Sequence, residues 1–152
     1  MNVIEYVTEE VNRQGHNVQG LDGIERVAWM LAAWRTAILW ARTGETIDID
    51  DVRVLGTMVE PEKNEYGFRT CGVRVGNRVC PPAADVPILL DKLFDRLPHL
   101  SPLDFYREFE TIHPFVDGNG RTGKIILNTL NGTLLKPIFP PNNFWGEPIR
   151  NP

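Results

Sequence analysis

The chain has 152 residues, a length typical of a single domain that buries about 68–70% of its unfolded surface. Its apolar content of 42% is enough to build a core. Its net charge of −4 argues against general binding to nucleic acids or to anionic membranes.

The cysteines and histidines exclude most metal sites. Cys71 and Cys80 are too few for a four-thiolate zinc site, and we expect them to be free thiols. The three histidines are scattered, so no metal-ligand cluster is predicted. Glutamates interrupt the N-terminus and Arg35 interrupts the longest apolar run, which predicts neither a signal peptide nor a membrane span. We expect a cytoplasmic protein, or one delivered to a host cytosol.

Hydrophobic spacing predicts three helices before residue 61. They run from Asn2 to Gln14, from Asp22 to about Arg42, and from Asp48 to Pro61. Asp22 and Glu25 resemble a capping box at the start of the second helix. That helix has two apolar faces: one includes Ile24, Val27, Ala28, Leu31, Ile38 and Leu39, with Arg35, and the other Met30, Trp34, Ala37 and Ala41. We expect it to be buried centrally, and contact with a partner is the alternative.

In the second half of the chain the spacing of hydrophobic residues changes from helical to alternating. Alternation from Phe68 to Cys80 around a Gly76-Asn77 turn predicts a β-hairpin, which Pro81-Pro82 ends because proline cannot donate to a ladder. Helical spacing returns from Ala84 to Leu97. No internal repeat or linker is recognisable.

Two further segments complete the outline. Ser101 and Pro102 are a typical N-cap and first helical residue for a helix that reaches Ile112. The segment 136–152 has five prolines, which predicts an extended tail. Its aromatic residues would hold it to the domain: Phe139, Phe144 or Trp145.

The most informative stretch joins that helix to another. Gly118-Asn119-Gly120 can adopt positive φ and expose backbone amides, and the helix that follows directs its positive end at the same place. Such a site binds phosphate. Arg121 and Lys124 lie three positions apart and would add two charges on one face. Asp117 could hold Mg²⁺, and His113 could accept a proton from a hydroxyl.

A nucleotide-binding loop of the Walker A type is one interpretation of this stretch. The residues from Gly118 to Lys124 match G-x-x-x-x-G-K, but Ile125 stands where Ser or Thr must hold Mg²⁺. The preceding residues also have helical spacing, whereas a P-loop follows a buried strand. The sequence context therefore disfavours this interpretation.

The stretch from His113 to Lys124 also resembles the signature of Fic domains, H-P-F-x-(D/E)-G-N-G-R-x-x-R. Eight of the nine specified positions match, and Lys124 replaces the last arginine. The resemblance extends over residues 66–130 and implies an all-α fold, a Fic-like helical bundle with one β-hairpin flap, in a single domain of residues 1–152. Lysine keeps the charge of arginine but loses its bidentate fork, which affects the choice of nucleotide.

The resemblance implies an enzyme that transfers AMP from ATP to a hydroxyl side chain of a target protein. It makes His113 the general base and Asp117 the Mg²⁺ ligand. It assigns nucleotide contacts to the following residues: Gly118, Asn119, Gly120, Arg121, Lys124 and Asn128. Each of three residues also has a purely structural interpretation. Asp117 could be a turn former, Arg121 part of a solvated helix face, and Asn128 a polar group on a helix surface.

In the Fic family the flap, here residues 66–80, covers the active site. The resemblance implies that a target segment pairs along Val73, Arg74 and Val75, where main-chain pairing gives affinity. A purely structural hairpin is the alternative. Many relatives are silenced by a glutamate in an (S/T)-x-x-x-E-(G/N) motif, which contacts the position of Lys124. This chain has no such motif, so the implied options are a separate antitoxin-like inhibitor, no restraint, or a switch that Lys124 makes irrelevant.

Two other functions remain open from the sequence. A Fic-type enzyme could transfer UMP, phosphate or phosphocholine instead of AMP. A non-catalytic module could bind a nucleotide or a protein without forming a covalent product; Lys124 favours this option, whereas His113, Asp117 and Asn119 argue against it.

Overall fold

A computed structural model describes residues 1–141. Within them it contains six α-helices, two short 3₁₀ turns and one antiparallel hairpin, which confirms the expected all-α class with a hairpin. The elements are α1 (Val3–Arg13), α2 (Leu21–Thr43), α3 (Ile49–Val59), β1 (Arg74–Val75), β2 (Arg78–Val79), α4 (Val86–Asp95), α5 (Pro102–Ile112) and α6 (Asn119–Asn131). None of the described helices has the length and apolarity needed to cross a bilayer.

Helix α6 lies at the centre of the bundle. It packs against α5, α2 and α3, and no side chain from Arg121 to Asn128 is more than slightly exposed. Ile125, Ile126 and Leu127 are fully buried, so α6 is covered on more than one face. The helix that carries most of the motif is therefore also the helix around which the core forms.

The N-cap predicted at Ser101 and the helix start predicted at Asp48 are confirmed, whereas the capping box predicted at Asp22 is wrong. Asp48 caps α3 in a reciprocal capping box with Asp51, and the Ser101 hydroxyl accepts from the third amide of α5. Helix α2 instead begins after Gly20 and has no side-chain cap. The Asp22 carboxylate does not cap the helix, because it pairs with His16 and Arg26.

Central burial of α2 on both of its faces is also wrong. Met30, Trp34 and Ala37 are fully buried, but Ile24 is 53% exposed and Leu39 is 47% exposed. The reason is that α1, α3 and α6 all pack against one side of α2, so nothing in the described residues covers the opposite side.

The hairpin is shorter than the alternation from Phe68 to Cys80 predicted. Each strand has two residues, and one further bond joins the Cys80 amide to the Val73 carbonyl at 3.1 Å. The chain before Val73 is pulled out of the ladder, because the Arg69 amide donates to the Pro114 carbonyl at 2.9 Å. Both cysteines are free thiols, as expected.

The helix predicted from Ala84 to Leu97 is a shorter α-helix, α4, with a 3₁₀ turn at each end. A 3₁₀ turn at Ala83–Asp85 precedes α4, and a second at Leu97–His99 follows it. Pro87 in the first turn of α4 lacks an amide hydrogen, and Pro98 ends the regular pattern.

The start of the C-terminal tail returns to α1. The Phe139 ring stacks on Tyr6 with a centroid distance of 4.0 Å, and the Arg13 guanidinium lies 4.0 Å from the Phe139 centroid. The Tyr6 hydroxyl donates to the Ile138 carbonyl at 2.7 Å. Phe139 therefore anchors the tail as predicted, whereas Phe144 and Trp145 lie outside the described residues.

Candidate active site

His113 ends α5 in an unusual backbone conformation. Its φ of 52° is the only positive φ of a non-glycine residue among residues 1–141. The imidazole is half-buried, and its Nδ1 is fully buried. The Glu110 backbone acts on the ring as a hydrogen-bond partner, whereas no side chain of the described residues bonds to Nε2. The left-handed turn therefore presents an imidazole with one ring nitrogen, Nε2, that no described side chain occupies.

A buried arginine that the sequence analysis did not single out holds this turn. The Arg69 guanidinium donates to the carbonyls of His113 at 2.7 Å and Ile112 at 3.2 Å. It also donates to the carbonyls of Cys71 at 3.0 Å and Pro81 at 2.6 Å, at the two ends of the hairpin. One side chain therefore joins the base of the hairpin to the backbone of the candidate base.

The loop between α5 and α6 is fixed by its own side chains. Phe115 is fully buried, and its ring lies where a side chain on Gly56 of α3 would stand. The Asn119 side chain accepts from the Phe115 amide and donates to the Phe115 carbonyl, both at 2.9 Å. The Asn64 amide nitrogen donates to the Asp117 carbonyl at 2.8 Å. These contacts set the loop without using the amides at the start of α6.

Those amides form the candidate anion site. Gly118 has a φ of 75° and precedes α6, and its own amide donates to Asp117 Oδ1 at 2.7 Å. The amides of Asn119, Gly120 and Arg121 have no acceptor within the described residues. They lie at the positive end of the helix dipole, which suits a phosphate.

The Asp117 carboxylate is the one motif acid available to a cation. Lys63 pairs with its Oδ2 at 2.7 Å. Burial opposes ionisation, but the bonds from Lys63 and the Gly118 amide outweigh it and lower the pKa of Asp117. No group of three or more candidate metal ligands occurs within residues 1–141. A single carboxylate fits a magnesium ion only if phosphate oxygens and water complete its shell.

Arg121 is almost entirely buried and paired with an acid from the end of α3. Its Nη2 lies 2.9 Å from Glu60 Oε1, and the Arg26 Nε lies 2.6 Å from the same oxygen. The Nε and Nη1 groups of Arg121 are buried without a partner in the described residues. Arg121 therefore retains donors that a phosphate could satisfy.

Lys124 is buried among acids. Its Nζ lies 2.8 Å from Glu10 Oε2 in α1 and 3.4 Å from the Tyr106 hydroxyl. Burial alone would lower the pKa of Lys124, but Glu10, Tyr106 and Glu110 outweigh burial and raise it. The ammonium is therefore charged and already neutralised by α1, so the two motif cations project toward different helices.

Beside Lys124, burial raises the pKa of Glu110 to about 7 even though the lysine opposes this. Glu110 Oε1 is buried without a partner in the described residues and lies where a side chain on Gly123 would stand. A second carboxyl group, neutral for part of the physiological range, thus lies behind the motif.

Asn128 contributes to packing. Its amide donates to the Lys124 carbonyl, the Tyr6 hydroxyl and the Ile138 carbonyl. Its oxygen accepts from Thr133 and from the Ile138 amide. The hydrogen-bonding capacity of the side chain is used within the protein, where it holds the start of the tail.

The hairpin residues predicted to dock a target lie on the surface. Arg74 and Val75 are exposed and Val73 is half-buried.

Burial lowers the pKa of His113 to about 4, and the positive charges of Arg78 and Arg69 add to this effect. The hairpin therefore influences the charge state of the candidate base.

Four residues that matter here were missed from the sequence: Glu10, Glu60, Lys63 and Arg69. Two of them left a signal. Glu10 falls on the apolar face of α1, one turn after Tyr6. Glu60 follows the last residue of α3, where the dipole disfavours an acid, which indicates a compensating cation. Nothing in the local pattern distinguishes Lys63 or Arg69.

Replacing Arg69 tests its role as the hairpin anchor. In Arg69→Gln the side chain cannot reach four carbonyls, so we expect amide hydrogen exchange at residues 70–82 to accelerate by about tenfold or more. The Arg74→Gln control changes an exposed arginine of the same hairpin and should leave exchange unchanged. Equal exchange in the two variants would show that Arg69 does not hold the hairpin.

The charge state of His113 gives a pH prediction. Its pKa is about 4 in the folded chain and about 6.5 unfolded, so the unfolded state binds the extra proton between these values. His113 therefore adds stability above pH ~6.5, and that contribution falls as the pH drops toward ~4. NMR titration of its ring protons should give a midpoint near 4. A midpoint at the ordinary value would contradict the environment described above.

The chain is similar to proteins of one known family. The profile of the Fic/DOC family matches residues 46–130. "Protein adenylyltransferase Fic" from Drosophila willistoni is 36% identical over 98 residues, which are 59% of this chain and 19% of that protein. The counterpart from Drosophila virilis gives the same identity and coverage. The chain thus spans about a fifth of the length of these relatives.

Solved structures support the fold. A Fic family protein from Desulfovibrio desulfuricans G20 has a TM-score of 0.65 and 21% identity, covering 83% of this chain and 46% of that one. Fic-1 from C. elegans has a TM-score of 0.63 and 24% identity, covering 86% of this chain and 43% of that one. Because the family profile matches more than half of the residues, the chain belongs to the Fic/DOC family.

Proposed function

We propose that this protein is an adenylyltransferase that moves AMP from ATP to a hydroxyl side chain of a target protein. The observation that carries the proposal is that one short loop joins the half-buried imidazole of His113, at the end of α5, to the three unsatisfied amides that begin α6. The named activity of the curated relatives supports it.

The polyphosphate of ATP would bind at the start of α6. The amides of Asn119, Gly120 and Arg121 would donate to its oxygens, and the unpartnered Nε and Nη1 of Arg121 would add charged donors. Donors fixed before the substrate arrives stabilise developing charge without reorganisation. The contacts of Asn119 with Phe115 supply that rigidity.

His113 would act as the base. With a pKa of about 4 its imidazole is neutral at physiological pH and can accept a proton. The target hydroxyl would give its proton to the imidazole while its oxygen bonds to the α-phosphorus. The bond from that phosphorus to the bridging oxygen breaks, and pyrophosphate leaves with the electron pair. Substrate phosphates beside His113 would raise its pKa and strengthen it as a base.

Asp117 would hold a magnesium ion with one carboxylate oxygen, in exchange for its contact with Lys63. When bound, the ion supplies charge neutralisation for the phosphates. In the described structure Lys63 neutralises the Asp117 carboxylate instead. The other proposed partner is the target segment, which would add to the hairpin along Val73, Arg74 and Val75.

The Glu10–Lys124 pair bears on regulation. The signature for an internal inhibitory glutamate is missing from the sequence, yet α1 supplies a carboxylate to Lys124. A phosphate that contacts Lys124 would compete with Glu10 for the ammonium. A separate inhibitor remains a second proposal, and the two differ in whether the isolated chain is restrained.

Transfer of labelled nucleotide tests the activity. We expect the chain, incubated with α-labelled ATP and Mg²⁺, to label itself or a lysate protein, with a mass gain of about 329 Da for AMP against about 306 Da for UMP. His113→Asn should reduce labelling by about 10²–10⁴-fold because the base is lost, while asparagine tolerates the positive φ.

The matched control is His99→Asn, an exposed histidine outside the motif, which should label normally. Excess unlabelled UTP distinguishes a uridylyl enzyme, and mass gains of phosphate or phosphocholine identify the other transfers. Nucleotide binding without a covalent product in any arm would instead support the non-catalytic module.

Glu10→Gln tests the restraint by α1. The substitution keeps a hydrogen-bond acceptor for Lys124 but removes the negative charge, so we expect labelling to rise severalfold and stability to fall because a buried cation loses its counter-charge. Glu9→Gln changes a neighbouring, partly exposed acid and should alter neither quantity. Unchanged or weaker labelling by Glu10→Gln, with ATP binding intact, would show that the ion pair is only structural.

A further inference from the structure

The side of α2 that the described residues leave uncovered carries a row of apolar side chains, interrupted by Arg35 between Ala32 and Leu39, which we call the α2 stripe. It consists of Leu21, Ile24, Ala28, Ala32 and Leu39, all exposed. Leu21 is 72% exposed, although a leucine at this spacing is ordinarily buried. The stripe follows a helix of 23 residues, which is about 35 Å long. Two alanines, Ala28 and Ala32, precede Arg35 in its middle, so another helix could approach closely there.

The charges beside the stripe are arranged by sign. Glu25 lies in the first half of α2, and Arg35 and Arg42 lie in the second half. None of the three has an ion pair within residues 1–141. A partner that presents basic groups to the first half and acidic groups to the second would satisfy them all.

An antiparallel copy of α2 is such a partner for Glu25 and Arg35. A two-fold axis that passes between the two helices, level with the Leu31–Ala32 bond, would bring Ile24 opposite Leu39 and Ala28 opposite Arg35. Isologous contacts of this kind use the same patch on both subunits. Glu25, one turn before Ala28, would then lie beside Arg35 of the second copy. The pairing repeats by symmetry, and the antiparallel helix dipoles also favour it.

We infer that the α2 stripe is a homodimer interface in which two α2 helices pair antiparallel about this axis. The same axis would bring Leu21 of the second copy to Arg42. Arg42 borders a depression of about 530 Å³ with a largely aliphatic lining that includes Ile38, Ala41 and Leu135. Leu135 is itself 70% exposed, so this contact would cover two large apolar side chains on each side.

Sedimentation equilibrium of the 152-residue chain tests the inference. We expect a reversible dimer over about 1–100 μM, the range in which modest interfaces dissociate. Glu25→Arg and Arg35→Glu each place like charges together across the axis, so each should weaken the dimer by about tenfold or more. The double variant Glu25→Arg/Arg35→Glu restores opposite charges and should recover the dimer.

Arg74→Glu is the matched control, because it reverses an exposed arginine on the hairpin and should leave the dimer intact. Arg35 and Arg74 are exposed and Glu25 is partly exposed, so folding should survive in all four variants, which circular dichroism checks. A chain that stays monomeric at the highest concentration overturns the inference. So does a dimer that the single charge reversals do not weaken, or one that the double variant fails to restore.

Discussion

The burial of two cations in α6 is the constraint on which this structure depends. A buried charge is costly unless a counter-charge and hydrogen bonds accompany it. Arg121 pairs with Glu60 after α3, and Lys124 pairs with Glu10 in α1, so two distant elements must close on the central helix. The cations that the motif offers to a nucleotide are thus the ones that hold the bundle together. Any phosphate that binds there competes with, or supplements, a protein carboxylate.

The candidate site is built by side chains that bond to backbone rather than to one another. The Arg69 side chain donates to the carbonyls around His113. The Asn119 side chain bonds to the backbone amide and carbonyl of Phe115, and the Asn64 side chain donates to the Asp117 carbonyl. The backbone is therefore fixed from behind, while the first amides of α6 and the imidazole remain available. A rigid frame with unsatisfied donors is what phosphoryl chemistry needs, since positioning and charge stabilisation supply most of its acceleration.

The helical pattern was predictable because its signals are local. Periodicity located the six helices to within a few residues, Asp48 was recognisable as a helix start and Ser101 as a cap. The motif gave the loop and the start of α6. The partners of its cations were not predictable, since Glu10 and Lys124 are far apart in the chain and periodicity carries no information on which helices meet. The exposed side of α2 was misjudged for the same reason: an apolar face looks alike whether or not a neighbour covers it.

The contact of the C-terminal segment with α1 links two regions that the chain order separates. Tyr6 receives Ile138 and Phe139 on the same helix that carries Glu10 one turn later. Anything that binds or displaces this segment also changes the freedom of α1, and with it the carboxylate beside Lys124. By thermodynamic linkage the reverse holds, so occupancy of the cation by a ligand should alter how firmly the segment is docked. Ile138, Phe139 and Lys124 thus share one helix, α1, as their partner.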